Sequence, residues 1–286
     1  MSSARDALPD VTIAMPTADD DPNLVAAAVD AALSAGLAQP LVIVDSSRTD
    51  GVRAIAMERG ERVRYVAEEH PISRKRNRLL ELVDTRYVVF LDADALPQPD
   101  WAATLREAFN SAPDVAVVGA RCVAIWHGPH PRLFTTRPAG DFLSLFDLGS
   151  EPLEVPRIMG TSYAVDRERC GDSPFPADRL PRRPSEEVLL CLGVRAKGWR
   201  IRYEPRAVVG HQIPRSRATW PSMLRRVYAA GRESVYGPQR LEPLPRRLAA
   251  PDRLFLATIA PVFLAGRMAE QARDRGQPSL SSQARA

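Results

Sequence analysis

Asp92 and Asp94 stand two residues apart, directly after the apolar run Tyr87 to Phe90. Two carboxylates at that spacing, delivered by a strand end, can hold a hard divalent cation through oxygen and leave positions for substrate phosphates. A D-x-D pair alone is weak, because solvated aspartates in a strand-to-loop turn read the same way. Other polar groups follow other apolar runs. Pro16-Thr17 closes Val11 to Met15, and Asp45, Ser46, Ser47, Thr49 and Asp50 follow Leu41 to Val44. Arg74, Lys75, Arg76 and Asn77 open the segment before the aspartates. Cations in a helix's first turn run against the usual preference for acids there, which points to an external anion. Together these groups suit a nucleotide, with its base near Pro16 and Asp45 and its diphosphate near Arg76 and a cation. Glu186-Glu187 is another acidic pair, at a place where acids favour a helix start.

Periodicity predicts the elements that must position these groups. Leu24, Val25, Ala28, Val29, Ala32 and Leu33 recur at helical spacing over 23–35, capped by Asp21 or Asn23 and ended by Gly36. Helices are also predicted over 51–59, 73–83, 99–112 and 185–197. Strands are predicted over 11–15, stopped by Pro16, and over 41–44, 63–66, 87–91 and 115–118. Fully apolar strands alternating with helices indicate a parallel sheet covered on both faces, with ligands at the C-terminal strand ends. Short strands are expected at 163–165, 201–203 and 207–209, the last two edge-like. Residues 126–158 hold scattered Pro and Gly, with helical turns near 142–148. Beyond 213 the pattern gives a basic helix near 222–230, a Pro-rich link at 238–251, an apolar segment at 254–266 and a disordered tail.

The chain has 286 residues, 45% hydrophobic and 26% charged, which fits one soluble domain with additions. No run of about eighteen apolar residues occurs, so a multi-span membrane protein is excluded. Met1 leads into polar residues, and no signal peptide is expected. Cys122, Cys170 and Cys191 are odd in number and widely spaced, and read as reduced thiols of a cytoplasmic protein. From Trp199 onward sixteen Arg stand against six acids, a balance of +10, which leaves −6 for the preceding residues of a chain of net charge +4. That asymmetry calls for an anionic partner. No interleaving of aromatic and basic residues supports nucleic acid. Leu254 to Gly266 is thirteen uncharged residues broken by Pro261, too short to span about 30 Å of bilayer. It either lies on a membrane surface or caps the core. His127 and His130 enclose Gly128-Pro129 and read as a loop, not a metal pair. His70 before Pro71 reads as a solvated loop residue. Trp101 and Trp199 read as packing residues, and Trp126 as available to stack on a sugar ring.

The ordered set Pro16-Thr17, Val44-Asp45-Ser46-Ser47, Arg76-Asn77, Leu91-Asp92-Ala93-Asp94, Glu186-Glu187 and Gly198-Trp199 resembles the family 2 glycosyltransferases over about residues 11–212. The resemblance implies the α/β GT-A fold, with a mainly parallel central sheet and helices on both faces. It also implies inverting transfer of a sugar from a nucleotide-diphosphate sugar, a UDP-sugar foremost, to an acceptor hydroxyl. Carried over residue by residue, Pro16, Thr17 and Asp45 bind the nucleobase. Arg76 and Asn77 lie by the diphosphate, and Asp92, Ala93 and Asp94 hold the donor and Mn2+ or Mg2+. His211, after Val208-Val209-Gly210, completes the metal site with Asp94. Gly160, Thr161, Ser162 and Glu186 fall on the acceptor side, and Glu187 falls on the base. Two departures stand out: Ser46 replaces the family's second Asp, and Glu187 is one methylene longer than its Asp.

The expected organisation is a transferase domain over 9–212, divided near 118 into nucleotide and acceptor halves. A basic helical extension over 213–268 follows, then a tail over 269–286. The expected location is cytoplasmic, with peripheral contact to an anionic inner membrane face. Competing readings are a nucleotide-sugar-binding protein of the same fold with little or no turnover, and a phosphohydrolase using the D-x-D. The second wants a downstream Lys beside an Asp pair, and Lys197 lacks that pair.

Overall fold

The computed structural model describes residues 8–176, 185–235 and 248–276. Among these, two compact units separate. Residues 8–127, 144–176 and 185–213 form one, and residues 128–143, 214–235 and 248–276 the other.

The first unit is built on one sheet. Its opening strands are β1 (Val11–Thr17), β2 (Leu41–Asp45), β3 (Val63–Ala67) and β4 (Tyr87–Leu91). They alternate with helices α1 (Pro22–Leu33), α2 (Gly51–Arg59) and α3 (Ile72–Glu81). β5 (Ala95–Pro97), α4 (Trp101–Ser111) and β6 (Val115–Trp126) follow. In the second unit lies the short α5 (Arg137–Gly140). The first unit resumes with β7 (Leu153–Glu154), β8 (Ser162–Asp166), α6 (Arg167–Cys170), α7 (Glu186–Ala196) and β9 (Arg200–Ile213). The strand order is β3-β2-β1-β4-β8-β6-β9-β5, with β7 also on β9.

The order explains both what periodicity reads and what it does not. β3, β2, β1 and β4 are mutually parallel. They are joined by crossovers through short helices, and being parallel they share one edge at their C-terminal ends. β1, β2 and β4 are buried along their whole length, as their unbroken apolar runs require. β8 then enters antiparallel to both β4 and β6, so the sheet is mixed. β1 also runs through Pro16 to Thr17. Its pairing with β4 ends at Ala14, and Thr17 turns its carbonyl toward the β2 side, where it accepts from Ser46 N–H. Alternate residues face opposite sides, so Pro16 removes no ladder donor.

The largest departure is β9. The two edge-like strands expected at 201–203 and 207–209 are one 14-residue strand with β6 on one side and β5 on the other. Pro205 reads as a break. The register instead jumps from Ala120↔Glu204 to Arg121↔Val208, and the bulge absorbs the missing N–H. Helical turns near 142–148 are confined to a 3-10 turn at Asp141–Leu143. Phe146 instead exchanges backbone hydrogen bonds with Cys122 at 2.9 Å. Trp101 is fully buried, and its indole N–H donates to Ser162 Oγ at 2.9 Å. Cys122, Cys170 and Cys191 are buried free thiols.

The second unit pairs α8 (Trp220–Glu233) with α9 (Ala250–Gly276). Thr219 caps α8 by accepting from Ser222 N–H. Phe134 packs edge-on against Trp220 at 5.0 Å, and Phe142 lies 6.3 Å from Phe255. These contacts bring residues 128–143 to the C-terminal helices, whereas the sequence groups them with the acceptor half. α9 continues past residue 268 to Gly276, with Pro261 inside it. Most of the Pro-rich link and the end of the expected tail lie outside the described residues. No helix among the described residues is long and apolar enough to cross a membrane.

Candidate active site

Three strand ends of the parallel edge carry the site. Thr17 and Asp45 are register partners at the ends of β1 and β2. Asp45 is buried and fully engaged: Thr17 Oγ1 donates to Oδ1 at 2.7 Å, Ser47 Oγ at 2.6 Å, and Tyr65 OH donates to Oδ2 at 2.8 Å. Burial would raise this carboxyl, but the donors from Ser47 and Thr17 outweigh it, and its pKa lies below the ordinary value. Burial and the Asp45 charge push the Tyr65 phenol up to about 12. Beside them opens a cavity of about 400 Å³ lined by Ser47, Arg48, Thr49, Asp50, Arg53 and Tyr65.

β4 ends in Leu91 and delivers Asp92 and Asp94 through a tight turn pinned on both flanks. Asp92 N–H donates to Thr161 O at 2.9 Å, Ala95 N–H to Asp92 O at 3.1 Å, and Gln212 N–H to Asp94 O at 2.9 Å. β5 then pairs with β9, with Ala95 opposite His211. The result is His211 Nε2 at 3.1 Å from Asp94 Oδ2, with the imidazole almost fully buried. Loss of solvation raises the Asp92 carboxyl to about 7; Arg76 opposes this, and Asp94 and Glu186 add to it.

Three successive side chains of α3 fan out at about 100° per residue. Lys75 Nζ donates to Thr17 O at 2.6 Å and to Ser46 Oγ at 2.8 Å, tying β1 to β2; its burial lowers its pKa. Arg76 enters a box of Phe90, Tyr163 and Phe175 rings, 5.5 to 6.0 Å from their centroids. Its guanidinium pairs with Glu186, with Asp92 at 3.5 Å and with Glu187 at 3.9 Å. Asn77 is turned away. Its amide donates to Phe175 O at 2.6 Å and accepts from Phe175 N–H at 3.0 Å, clamping the 170s segment. The cations at this helix start are thus taken up by internal partners, except for exposed Arg74.

Glu187 lies in the first turn of α7, beside Arg76 and Gly160. A methyl group at Gly160 would lie 3.5 Å from Arg76 Nη2 and 3.6 Å from Glu187 Cδ, so the glycine borders the Glu187 carboxyl. Glu187 is 8% exposed. Burial, then the neighbouring Glu186 charge, raise its pKa, and Arg76 opposes. Thr161 and Ser162 are instead framework residues. Thr161 Oγ1 donates to Ser144 O at 2.7 Å, and Ser162 Oγ to Phe90 O at 3.1 Å.

The site therefore gathers Arg76, Asp92, Asp94, Gly160, Glu186, Glu187 and His211, with Thr17 and Asp45 on the neighbouring strand ends. Asn77, Thr161 and Ser162 support it from behind. Tyr65, Lys75 and Phe175 belong to it without having been singled out as site residues. Lys75 carries a faint signal as one of only two lysines among the cations. His70 lies in the loop after β3 and is part-exposed, as expected; its Nε2 lies 3.0 Å from Glu68 Oε2, and Glu68 also pairs with Arg78. His127 lies 3.2 Å from Gln212 Oε1. Among the described residues no group of three His, Cys, Asp or Glu could hold a metal alone. The carboxylate and imidazole of Asp94 and His211 are donors that could hold a divalent ion together with oxygens of a bound phosphate.

Over 186 residues the chain is 30% identical to the pre-mycofactocin glycosyltransferases of two Mycobacterium tuberculosis strains, CDC 1551 / Oshkosh and H37Rv. The match takes in 61% of this chain and 38% of the relatives' length. The fold is similar to the mannosyltransferase PcManGT from Pyrobaculum calidifontis, solved with GDP-Man and Mn2+. The TM-score is 0.57 at 20% identity, over 98% of this chain and 80% of that one. It is also similar to GalNAc-T7, solved with UDP, GalNAc and Mn2+, with a TM-score of 0.54 at 13% identity over 87% and 55% of the two chains. The architecture is the GT-A fold. The family profile described as glycosyl transferase family 2 matches residues 12–168, more than half of the chain, and the chain belongs to that family.

Proposed function

We propose that this chain transfers a sugar from a nucleotide-diphosphate sugar, a UDP-sugar foremost, to an acceptor hydroxyl, with inversion and with Glu187 as general base. The acceptor oxygen attacks the anomeric carbon as the bond from that carbon to the diphosphate breaks, and the hydroxyl proton passes to Glu187. The observation that carries this reading is the Glu187 carboxyl, buried and raised, facing Arg76 across the same site as Asp92 and Asp94. A raised carboxylate is a stronger base than a solvated one, and such help is worth about a hundred- to ten-thousand-fold.

The other residues take complementary roles. Asp45 and the cavity by Tyr65 receive the nucleobase. Asp94 and His211 hold Mn2+ or Mg2+, which supplies positive charge to the leaving diphosphate when bound. Arg76 keeps Glu186, Glu187 and Asp92 together and orients the base. The domain division carries over with the amendment that 128–143 joins the extension. The basic C-terminal part is read as a peripheral contact to an anionic membrane on the cytoplasmic side.

Incubation with Mn2+ and a panel of nucleotide sugars, without acceptor, tests the reading. Slow donor hydrolysis that stops in Glu187→Gln supports it. Absence of hydrolysis for every donor, together with tight donor binding, would favour the binding-only reading.

A further inference from the structure

α9 has two faces of opposite character. One packs on α8: Phe255, Ile259, Gly266 and Glu270 are buried, and Glu270 accepts from Arg232 Nε at 2.6 Å. The helices approach so closely that a methyl group at Gly266 would lie 2.2 Å from Tyr228 O. The other face is open. Leu254, Leu264 and Met268 are 58%, 54% and 67% exposed, and Ala257, Pro261 and Ala265 are exposed between them. These positions recur at three- and four-residue spacing and form a single stripe about 21 Å long.

We infer that this stripe is the surface by which the protein docks on an anionic lipid bilayer, with α9 lying in the interface plane. The inference rests on the membrane reading above and names the face that makes the contact. Charge at the ends of the stripe selects the occupant. Exposed Arg253 precedes Leu254, and exposed Arg267, which also donates to Ser234 Oγ at 3.2 Å, precedes Met268. Between Arg253 and Arg267 the helix carries no charge. Glu270 is turned inward onto Arg232. An apolar face buried to the headgroup boundary, with arginines reaching lipid phosphates at both ends, is the pattern of an interfacial helix. Two signals together are what a stable contact needs, since neither a short apolar face nor a few cations suffices alone. A second copy fits the stripe poorly, because pairing two such faces sets arginine against arginine. Leu256, Ile259, Ala260, Phe263 and Leu264 line a shallow apolar recess of about 300 Å³ on this helix, room for an acyl chain end.

The test is flotation of the full chain with vesicles of phosphatidylcholine alone, or with one quarter phosphatidylglycerol, at low and high salt. The wild type should float with the anionic vesicles, weaken with salt and leave the neutral ones. The triple variant Leu254→Glu, Leu264→Glu, Met268→Glu alters exposed positions and should keep its melting temperature while losing at least about tenfold in vesicle affinity. Arg253→Gln should lose about fivefold, on anionic vesicles only. A wild type that stays unbound at low salt, or a triple variant that floats as well as the wild type, would overturn the inference. So would a stripe-dependent dimer in solution without vesicle binding. Donor hydrolysis without vesicles should be equal in wild type and triple variant. That readout separates failure of docking from failure of the transferase reading.

Discussion

His211 Nε2 lies 3.1 Å from Asp94 Oδ2, although 117 residues separate them in the chain. The contact exists because β5 pairs with β9 with Ala95 opposite His211, and because Gln212 N–H anchors the Asp94 carbonyl. A short strand after the D-x-D turn thus brings the two proposed metal ligands together.

The first prediction follows from that pairing. His211→Ala removes the imidazole proposed to hold the metal but leaves the β5–β9 backbone ladder intact. Mn2+ affinity should fall by at least the 10- to 100-fold that loss of even a supporting partner costs. Titration of Mn2+ in the presence of nucleoside diphosphate checks this, with circular dichroism unchanged.

Glu187 offers a kinetic and a stability prediction of linked sign. Its folded pKa is raised above the ordinary 4.5. The acid limb of kcat/KM should therefore lie above the usual carboxylate range. Glu187→Gln should lower kcat by at least about a hundredfold with little change in donor affinity. A raised folded pKa means that the folded state holds the proton more tightly. Its stabilising effect is complete below about 4.5 and is lost as pH rises through the folded value. The Gln variant escapes that loss, so its melting temperature should exceed the wild type's at pH 8, and the gap should shrink toward pH 4.5.

Arg76 is the hub of three carboxylates and is itself almost fully buried. Arg76→Ala strands those charges and should cost about 3–5 kcal/mol by urea unfolding. Adding Glu186→Gln should restore part of the loss, because the two changes share one partner. Additivity of the two would show that the pair is not coupled.

In the second unit, Gly231 is set by contact, not by its own backbone angle. A methyl group there would lie 2.1 Å from Phe263 O. Gly231→Ala must push α8 from α9 and should destabilise by about 1–3 kcal/mol. Gly193→Ala meets nothing within 4 Å, lies inside α7, and serves as the control that should be neutral or slightly stabilising.

The site was legible where local pattern suffices. Tyr87–Leu91 is read with its true bounds because a fully buried parallel strand must be apolar at every position. β9 was not, because Pro205 breaks the pattern locally, and the bulge that accommodates it depends on β6, some eighty residues earlier. Asn77 shows the limit on function. Its type and place match a diphosphate contact, yet both ends of its amide are consumed by Phe175, which no spacing rule connects to it. Local pattern does not show what Lys75 and Tyr65 do for the same reason: Lys75 on α3 acts through Thr17 O on β1, and Tyr65 on β3 through Asp45 on β2.

The central claim is that a metal-dependent nucleotide-sugar site is built on Asp94. Calorimetry of UDP- and GDP-sugars against the full chain, in Mn2+ and in EDTA, tests it most directly. Micromolar to millimolar binding in Mn2+ should be lost in EDTA and in Asp94→Asn, with the melting temperature of the variant unchanged. Equal donor affinity in Mn2+ and in EDTA, or wild-type affinity in Asp94→Asn, would contradict it.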